Sequence, residues 1–348
     1  MKRILFLALL ICLNFKLPVM AQPQECIDIE NFTPTLSFDK NYYQGQVESY
    51  NVQIKIKSHD SELFALRGDA YYALQDYAGA ISDFKQATVL NSNYIYAYAR
   101  LGDTYQQIFD LQAALDNYDQ AISLDKTYAY SYIKRGVLYR KLGEVKTGEE
   151  TNAFFKMSLD DFTTGIELDP KSSLAYLRRS ELYDDLGEWD LALADAQTAV
   201  ELDPESVFAS TNLGMRQYSL KKYTDALKSF EQALHFRTDT ASDYAYAFTA
   251  RAVVCNRLNV PHQPELDIDQ ALSFDANYAY AYFHKAIIEK ETGNYKDAVK
   301  DLLSFVTLYP LDPYAYELLK LYRVDTYLYA DSYRIFTTWS KYPLDSLS

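Results

Sequence analysis

The decapeptide NYIYAYARLG at residues 93–102 returns as TYAYSYIKRG at 127–136, as NYAYAYFHKA at 277–286 and, in weaker form, as DPYAYELLKL at 312–321. Tyrosines at alternate positions suggest a β-strand, in which successive side chains point to opposite faces. On an α-helix, however, residues two apart lie about 200° apart, so the same alternation sends one tyrosine to each of two helix faces. A phrase that recurs along a chain indicates a repeat architecture, and its period decides the fold.

The period is 34 residues. The repeated pattern is a glycine with an aromatic residue three positions later, followed by two alanines that flank another aromatic residue. It occurs at Gly68, Tyr71, Ala80, Phe84 and Ala87, and again at Gly102, Tyr105, Ala114, Tyr118 and Ala121. A 10-residue insertion interrupts the phase before Phe162, and the pattern then continues to Pro310. A period of this length predicts stacked helical units rather than one compact core.

Within each unit the spacing fits two helices that pack against each other. A helix turns about 100° per residue, so positions 4, 8 and 11 of a unit lie within about 60° of one another, as do positions 20, 24 and 27. Small residues at positions 8, 20 and 27 let the two helices approach closely, and aromatic residues at 4, 11 and 24 fill the space between them. One face of each unit stays open until a neighbouring unit stacks on it.

These residues resemble those of tetratricopeptide repeat (TPR) proteins, whose unit is a 34-residue helix–turn–helix. The resemblance implies an all-α fold, a right-handed superhelical solenoid of such units. We number the seven units as repeats 1 to 7 and count positions from the first residue of each: 61–94, 95–128, 129–172 with the insertion, 173–206, 207–244, 245–278 and 279–312. Residues 313–348 are expected to hold a degenerate eighth repeat and a C-terminal cap.

Four segments depart from the pattern. Residues 42–60 align with part of repeat 1 and predict a degenerate half-repeat that caps the array, although VQIKIK within them also suits a strand. The insertion, near 143–154, is interpreted as a tolerated surface loop or as an extra contact at one rim of the array. In repeat 6 a proline replaces the packing alanine, so the second helix is expected to start late, near Pro264. The last helix, about 326–340, is rich in aromatic residues and is expected to pack back on the array or to meet a partner.

The first 21 residues are predicted to be an export signal. Lys2 and Arg3 precede a 12-residue apolar run that is too short to cross a bilayer comfortably, and a small-residue cleavage site ends at Ala21. A retained membrane anchor is the alternative. Cleavage leaves a leader at 22–41 and no membrane span, and it predicts a periplasmic or secreted protein. Because the signal holds three basic residues and no acid, the net charge changes from −14 to −14 − 3 = −17.

The composition argues against several classes of function. An acidic chain repels phosphate backbones, which argues against a nucleic-acid partner. Cys26 and Cys255 survive signal cleavage, and we favour two unpaired thiols, although export permits a disulfide. There is no phosphate-binding loop, metal-ligand spacing or nucleophile motif, so we predict no enzymatic activity, no cofactor and no metal. The adjacent acids Asp160-Asp161 and Asp184-Asp185 diverge by about 100° on helices and are expected to solvate the surface.

In TPR proteins the first helix of each unit lines a concave groove, with positions 2, 5, 9, 12 and 13 facing it. Position 2 is Tyr in five of the eight units here and Phe in a sixth. Tyr combines a broad apolar face with one hydroxyl group, which suits contact with a peptide. The residues predicted to bind a partner in the groove are Tyr96, Tyr130, Ile133, Val137, Arg140, Phe208, Tyr246, Val253, Tyr280, Phe283, Ile287 and Tyr314.

Basic residues lie just beside these positions. Position 6 carries Arg100, Lys134 and Arg178, which we predict as possible contacts for a partner's carboxylate. Two structural alternatives stay open: the tyrosines brace neighbouring units, and the basic side chains lie on solvated faces. TPR proteins that bind chaperone tails use basic and Asn residues at matching positions, where repeat 1 has Ala65 and Asp69, and this argues against that activity.

The sequence therefore predicts a non-catalytic, exported interaction scaffold that binds a peptide or protein in its groove through a pre-formed surface. One alternative is a self-assembling structural or envelope-assembly component that uses its aromatic C-terminal helix. Another is a glycan-acting enzyme, which requires a carboxylate pair facing across the groove. Neither the partner nor the oligomeric state follows from the sequence.

Overall fold

The computed structural model describes residues 40–146, 148–236, 241–309 and 318–319, and in these ranges it contains fifteen helices and no strand. The predicted all-α helical-repeat solenoid class is confirmed. In chain order the helices are α1 Lys40–Ile56, α2 Ser61–Ala73, α3 Tyr77–Leu90, α4 Ile95–Gln107, α5 Leu111–Leu124, α6 Ala129–Val145, α7 Glu149–Leu168, α8 Ser173–Leu186, α9 Trp189–Leu202, α10 Val207–Ser219, α11 Tyr223–His235, α12 Ala241–Arg257, α13 Gln263–Phe274, α14 Ala279–Glu291 and α15 Tyr295–Leu308.

The chain divides into two compact bodies, with the boundary between Lys222 and Tyr223, inside repeat 5. In the described residues the N-terminal body holds α1–α10 and the C-terminal body holds α11–α15 with residues 318–319. Residues 52–56, all but the last of VQIKIK, belong to α1, so the strand alternative is wrong. The signal, most of the leader and the predicted last helix lie outside the described residues.

Short polar side chains start several of the helices. Asp60, Asp76, Asp110, Ser172 and Ser206 accept hydrogen bonds from backbone N–H groups in the first turn of α2, α3, α5, α8 and α10. Such bonds satisfy donors that have no partner within the helix. Repeats 1–5 and repeat 7 begin their first helices at position 1, as the helix bounds show. The late start predicted for the second helix of repeat 6 is confirmed, since Pro264 lies in the first turn of α13.

The small residue at position 8 faces the aromatic residue at position 24. A Cβ atom added to Gly68 would lie 2.8 Å from the ring of Phe84, and one added to Gly102 would lie 2.5 Å from the ring of Tyr118. Real Cβ atoms do not approach this closely, so only glycine fits without a shift of the ring. Phe84 and Tyr118 are fully buried as a result. This contact explains the glycine and the aromatic residue that recur every 34 residues.

The insertion in repeat 3 lengthens both helices instead of forming a loop. Helix α6 has 17 residues where α2 has 13, and α7 has 20 where α3 has 14, so the ten extra residues divide as 4 and 6. The added residues pack on the facing helix: the ring of Phe154, in the added part of α7, lies 6.3 Å from that of Tyr139 of α6, and a Cβ atom placed on Gly143, in the added turn of α6, would lie 2.5 Å from the ring of Phe155 of α7. The surface-loop interpretation is therefore wrong, because apolar residues in the insertion let the helix pair continue. An extra contact at the rim stays a prediction.

Candidate binding groove

The predicted groove face consists of positions 2, 5, 9, 12 and 13 of the first helices, with position 6 just beside it. In repeats 1 and 2, an acid at position 9 joins each repeat to the next one. Asp69 of α2 accepts hydrogen bonds from the Tyr96 hydroxyl, at 2.6 Å, and from Arg100 Nε, at 2.7 Å, both on α4. Burial and the charge of Asp69 raise the pKa of the Tyr96 hydroxyl, so it stays protonated and donates. Tyr96 therefore braces two repeats.

Asp103 of α4 joins repeats 2 and 3 in the same way, and its carboxylate has more donors than that of Asp69. Its carboxylate accepts from the hydroxyl of Tyr130 at 2.6 Å, the hydroxyl of Tyr118 at 2.8 Å and Arg100 Nη1 at 2.8 Å, and Lys134 Nζ lies 3.3 Å away. The Asp103 side chain is only 2% exposed. A carboxylate so far removed from water depends on these four groups for its solvation. Tyr130 and Lys134 are thus part of the contact between repeats 2 and 3.

A second charged network surrounds Arg140 of α6. Its guanidinium group contacts Asp185 at 2.5 Å, Glu181 at 2.9 Å and Glu144 at 3.2 Å, the last from the added turn of α6. Burial opposes ionisation of Glu181, but three nearby guanidinium groups outweigh it and lower its pKa. Arg178 is one of them, at 2.8 Å from Glu181. The groove face of repeats 3 and 4 is therefore occupied by internal ion pairs.

The expectation that the adjacent acid pairs solvate the surface is wrong for three of the four residues. Asp161 is buried and binds Arg135, Asp184 lies 3.2 Å from Arg216, and Asp185 binds Arg140. The arginines come from other helices, so the divergence of neighbouring side chains does not decide their exposure.

Ile133 and Val137, the apolar candidates in repeat 3, pack inward. Ile133 is 3% exposed and belongs to a core cluster with Phe162 and Leu182, against which Val137 also packs. Position 5 is buried in each of repeats 1 to 6, because it lies against a neighbouring helix. The open groove surface predicted for Ile133 is not what the structure shows.

The C-terminal body presents a different groove face. Tyr280 is 45% exposed, and its ring centroid lies 5.8 Å from Phe305, 6.0 Å from Tyr309 and 6.2 Å from Tyr278. Phe283 packs 5.2 Å from Phe305. We call Tyr278, Tyr280, Phe283, Phe305 and Tyr309 the aromatic patch.

The remaining predicted residues fall in three places. Tyr246 and Val253 are half-buried on α12, and Ile287 is buried on α14. Phe208 is half-buried on α10, with the Arg178 guanidinium 5.0 Å from its ring centroid. Tyr314 lies outside the described residues. A role in binding a partner stays a prediction for all of them.

The three basic residues predicted to receive a carboxylate each contact an acid of this chain. Arg100 pairs with Asp69 and Asp103, Lys134 with Asp103, and Arg178 with Glu181. A partner's carboxylate would therefore have to displace or share an existing acid. A contact with a partner's carboxylate stays a prediction for all three.

An ion pair that joins the two helices of one repeat was not among the features predicted from the sequence. A basic residue at position 7 binds an acid at position 23, which joins the two helices of one repeat. Both oxygens of the carboxylate take part in four repeats: Arg67–Asp83, Arg135–Asp161, Arg179–Asp195 and Arg251–Asp267. The 16-residue spacing, or 26 across the insertion, is visible in the sequence and could have revealed these pairs. They hold the helices that carry the groove face.

Two further properties bear on function. Within the described residues, His, Cys, Asp and Glu side chains form no group of three or more that could hold a metal ion. None of the helices α1–α15 is both long enough and apolar enough to cross a bilayer.

Comparison with protein families identifies the repeats. Residues 68–108 match a family model described as TPR repeat, and 95–128, 177–245 and 280–312 match models described as tetratricopeptide repeat. These four segments of the chain therefore match tetratricopeptide repeats. A comparison with curated proteins finds no significant match.

Three solved structures are similar to this chain. A thermophilic TPR protein of Thermus thermophilus is 20% identical with a TM-score of 0.50, over 58% of this chain and 100% of its own. A tetratricopeptide repeat protein of Parabacteroides merdae is 20% identical with a TM-score of 0.57, over 76% and 98%. Yeast Tom70 is 16% identical with a TM-score of 0.57, over 84% of this chain and 61% of its own. At these identities the likeness shows the fold alone.

Proposed function

We propose that this protein is a non-catalytic, exported scaffold that binds a peptide or a protein segment on its groove face, with the aromatic patch as the main contact. Tetratricopeptide repeats generally mediate protein–protein interactions, which supports the class of function. The observation that carries the proposal is the 45% exposure of Tyr280 on that face.

The packing of the aromatic patch makes it suitable for binding. Tyr280 and Phe283 both lie against Phe305, which is fully buried in the core of the C-terminal body. A large aromatic side chain held by its neighbours loses little conformational freedom when a partner binds. An extended peptide could therefore bury the open face of Tyr280 at low entropic cost.

Capture of partners tests the proposal. The mature protein would be used to capture partners from the envelope and medium of the exporting cell, as wild type and as Tyr280→Ala. Loss of a central aromatic contact typically costs about 2 kcal/mol or more, so we expect affinity to fall by at least roughly tenfold. The melting temperature should change little, because Tyr280 is half open to solvent.

Trp189→Ala is the matched control. Trp189 is 43% exposed at the start of α9, a second helix outside the groove face. It should bind like the wild type. Equal losses in both variants, or no partner captured by the wild type, would contradict the proposal. Capture of the chain itself as sole partner would favour self-assembly instead.

Export has a separate test. We propose that the signal is removed after Ala21, since a basic start, a short apolar run and a small-residue site precede it. N-terminal sequencing of the protein from the envelope or the medium should begin at Gln22. A protein that keeps Met1 there would contradict cleavage.

A further inference from the structure

Repeat 7 departs from the pattern at position 11. Repeats 1 to 4 carry tyrosine there, at Tyr71, Tyr105, Tyr139 and Tyr183, whereas repeat 7 carries Glu289. One oxygen of this carboxyl group, Oε2, is buried with no hydrogen-bond partner in the described residues. A buried carboxylate oxygen without a partner is costly unless the group is neutral.

A second acid lies on the facing helix. Asp301 of α15 is 7% exposed, and its carboxyl group lies within hydrogen-bonding reach of Glu289. Two carboxylates this close repel each other when both are charged, whereas one shared proton turns the repulsion into a hydrogen bond.

The surrounding cations offset the raised pKa values of the pair only in part. Lys285 of α14 is close to it, but its Nζ donates to Asp269 of α13 at 3.0 Å. Helix α15 adds Asp297 and Lys300, whose charges shift the pKa of Asp301 in opposite directions. Helix α12 contributes the neutral Asn256, which donates to Glu291 of α14. Burial first, and then the charges of Asp301 and Asp297, raise the pKa of Glu289 to about 7.

The same two helices carry the aromatic patch. Tyr280 and Phe283 lie on α14, and Phe305, which contacts both rings, lies on α15. Anything that loosens α14 from α15 therefore also disturbs the surface proposed to bind a partner.

We propose that Glu289 and Asp301 share one proton across the contact between α14 and α15, and that this proton holds the helix pair, and with it the aromatic patch, more firmly in mildly acidic than in alkaline solution. The consequence for partner binding rests on the proposed function, whereas the shared proton does not.

The sign of the pH effect follows from linkage. The pKa of Glu289 is higher in the folded chain than the ordinary value of 4.5, so the folded state binds more protons between these values. The penalty from the charged pair is absent below about pH 4.5, grows as the pH rises to about 7 and is complete above it.

Hydrogen–deuterium exchange of the full chain measures this effect without a partner. After correction for intrinsic exchange, amides of α14 should exchange up to roughly tenfold faster at pH 8 than at pH 6, the factor expected when one carboxyl group with a folded pKa of about 7 loses its proton between these pH values. In Glu289→Gln the amide mimics the protonated acid, so the difference should vanish, with slow exchange at both pH values. Asp301→Asn should act in the same way and guards against a folding defect in the first variant.

Glu265→Gln, an exposed position on α13, is the control and should behave like the wild type. A carboxyl-carbon NMR titration should place the midpoint of Glu289 near pH 7. A midpoint near the ordinary value, or the same pH difference in wild type and Glu289→Gln, would overturn the proposal. Failure to capture a partner would bear on the proposed function alone.

Discussion

Repeats 2 and 3 and repeats 6 and 7 carry tyrosine at the same groove position, position 2, and use it differently. In the N-terminal body, Tyr96 and Tyr130 donate to the acid at position 9 of the preceding repeat. In the C-terminal body, position 9 is Val253 in repeat 6, and the next tyrosine, Tyr280, lies among aromatic rings and is 45% exposed. The residue at position 9 therefore decides whether the following tyrosine joins a polar bridge between repeats or an aromatic surface.

Removing Asp103, the groove acid with the most partners, should lower the free energy of unfolding more than any other change proposed here. In Asp103→Ala, the Tyr118 hydroxyl and the Arg100 guanidinium lose a shared partner in a buried site. Removing one member of a buried, hydrogen-bonded charge network typically costs about 3–5 kcal/mol. Urea unfolding of the full chain, followed by far-UV circular dichroism, should show this as a lower midpoint for the transition of the N-terminal body.

Asp69→Ala is the matched control at the same position of repeat 1. Its carboxylate has two donors and its side chain is 27% exposed, so the loss should be about 1–2 kcal/mol. Equal losses in the two variants would mean that burial of Asp103 is not what makes its bridge strong.

Much of the fold could be predicted because helix packing is local in sequence. Gly102 and Tyr118 meet within one repeat, and such contacts recur with the period, so the phase locates the helices. The helical form of the insertion could not be predicted, because a break in phase does not reveal whether the added residues continue a helix, as Phe154 and its neighbours do.

The candidate site was harder to predict because its contacts join different repeats. Whether Tyr96 faces a partner or an acid depends on Asp69, 27 residues earlier, and on the stacking that brings them together. The burial of Ile133 likewise depends on a neighbouring helix rather than on the groove face of its own. The position of a residue in a repeat predicts the direction in which its side chain points, but not which group of a neighbouring repeat that side chain contacts.

A polar bridge of the same kind can be built between repeats 6 and 7 of the C-terminal body. Position 6 of repeat 7 is His284, and burial lowers its pKa to about 4, so it is neutral at pH 7. Val253→Asp should therefore cost about 2 kcal/mol, because a half-buried carboxylate gains no cation. The double variant with His284→Arg recreates the 31-residue spacing of Asp69 and Arg100, and a double-mutant cycle should show about 1–2 kcal/mol of favourable coupling.

The single variant His284→Arg completes that cycle and should destabilise the chain, since it adds a cation without an acid. Additive effects of the two substitutions would show that the bridge needs more than position 9 and position 6. The two bodies would then differ in geometry rather than only in chemistry.

The smallest expected effect separates the hydroxyl of a groove tyrosine from its ring. Tyr130→Phe removes one donor from Asp103 and keeps the packing, so the free energy of unfolding should fall by about 1 kcal/mol, while Arg100 and Lys134 continue to solvate the acid. Tyr132→Phe on the same helix is the control, because no hydrogen bond of its hydroxyl occurs within the described residues, and its unfolding midpoint should stay near that of the wild type. If both variants lose the same amount, the stability at Tyr130 comes from the ring, and the polar bridge does not distinguish the N-terminal body. If only Tyr130→Phe loses stability, its hydroxyl is committed to Asp103, and a partner in this region would have to compete for it.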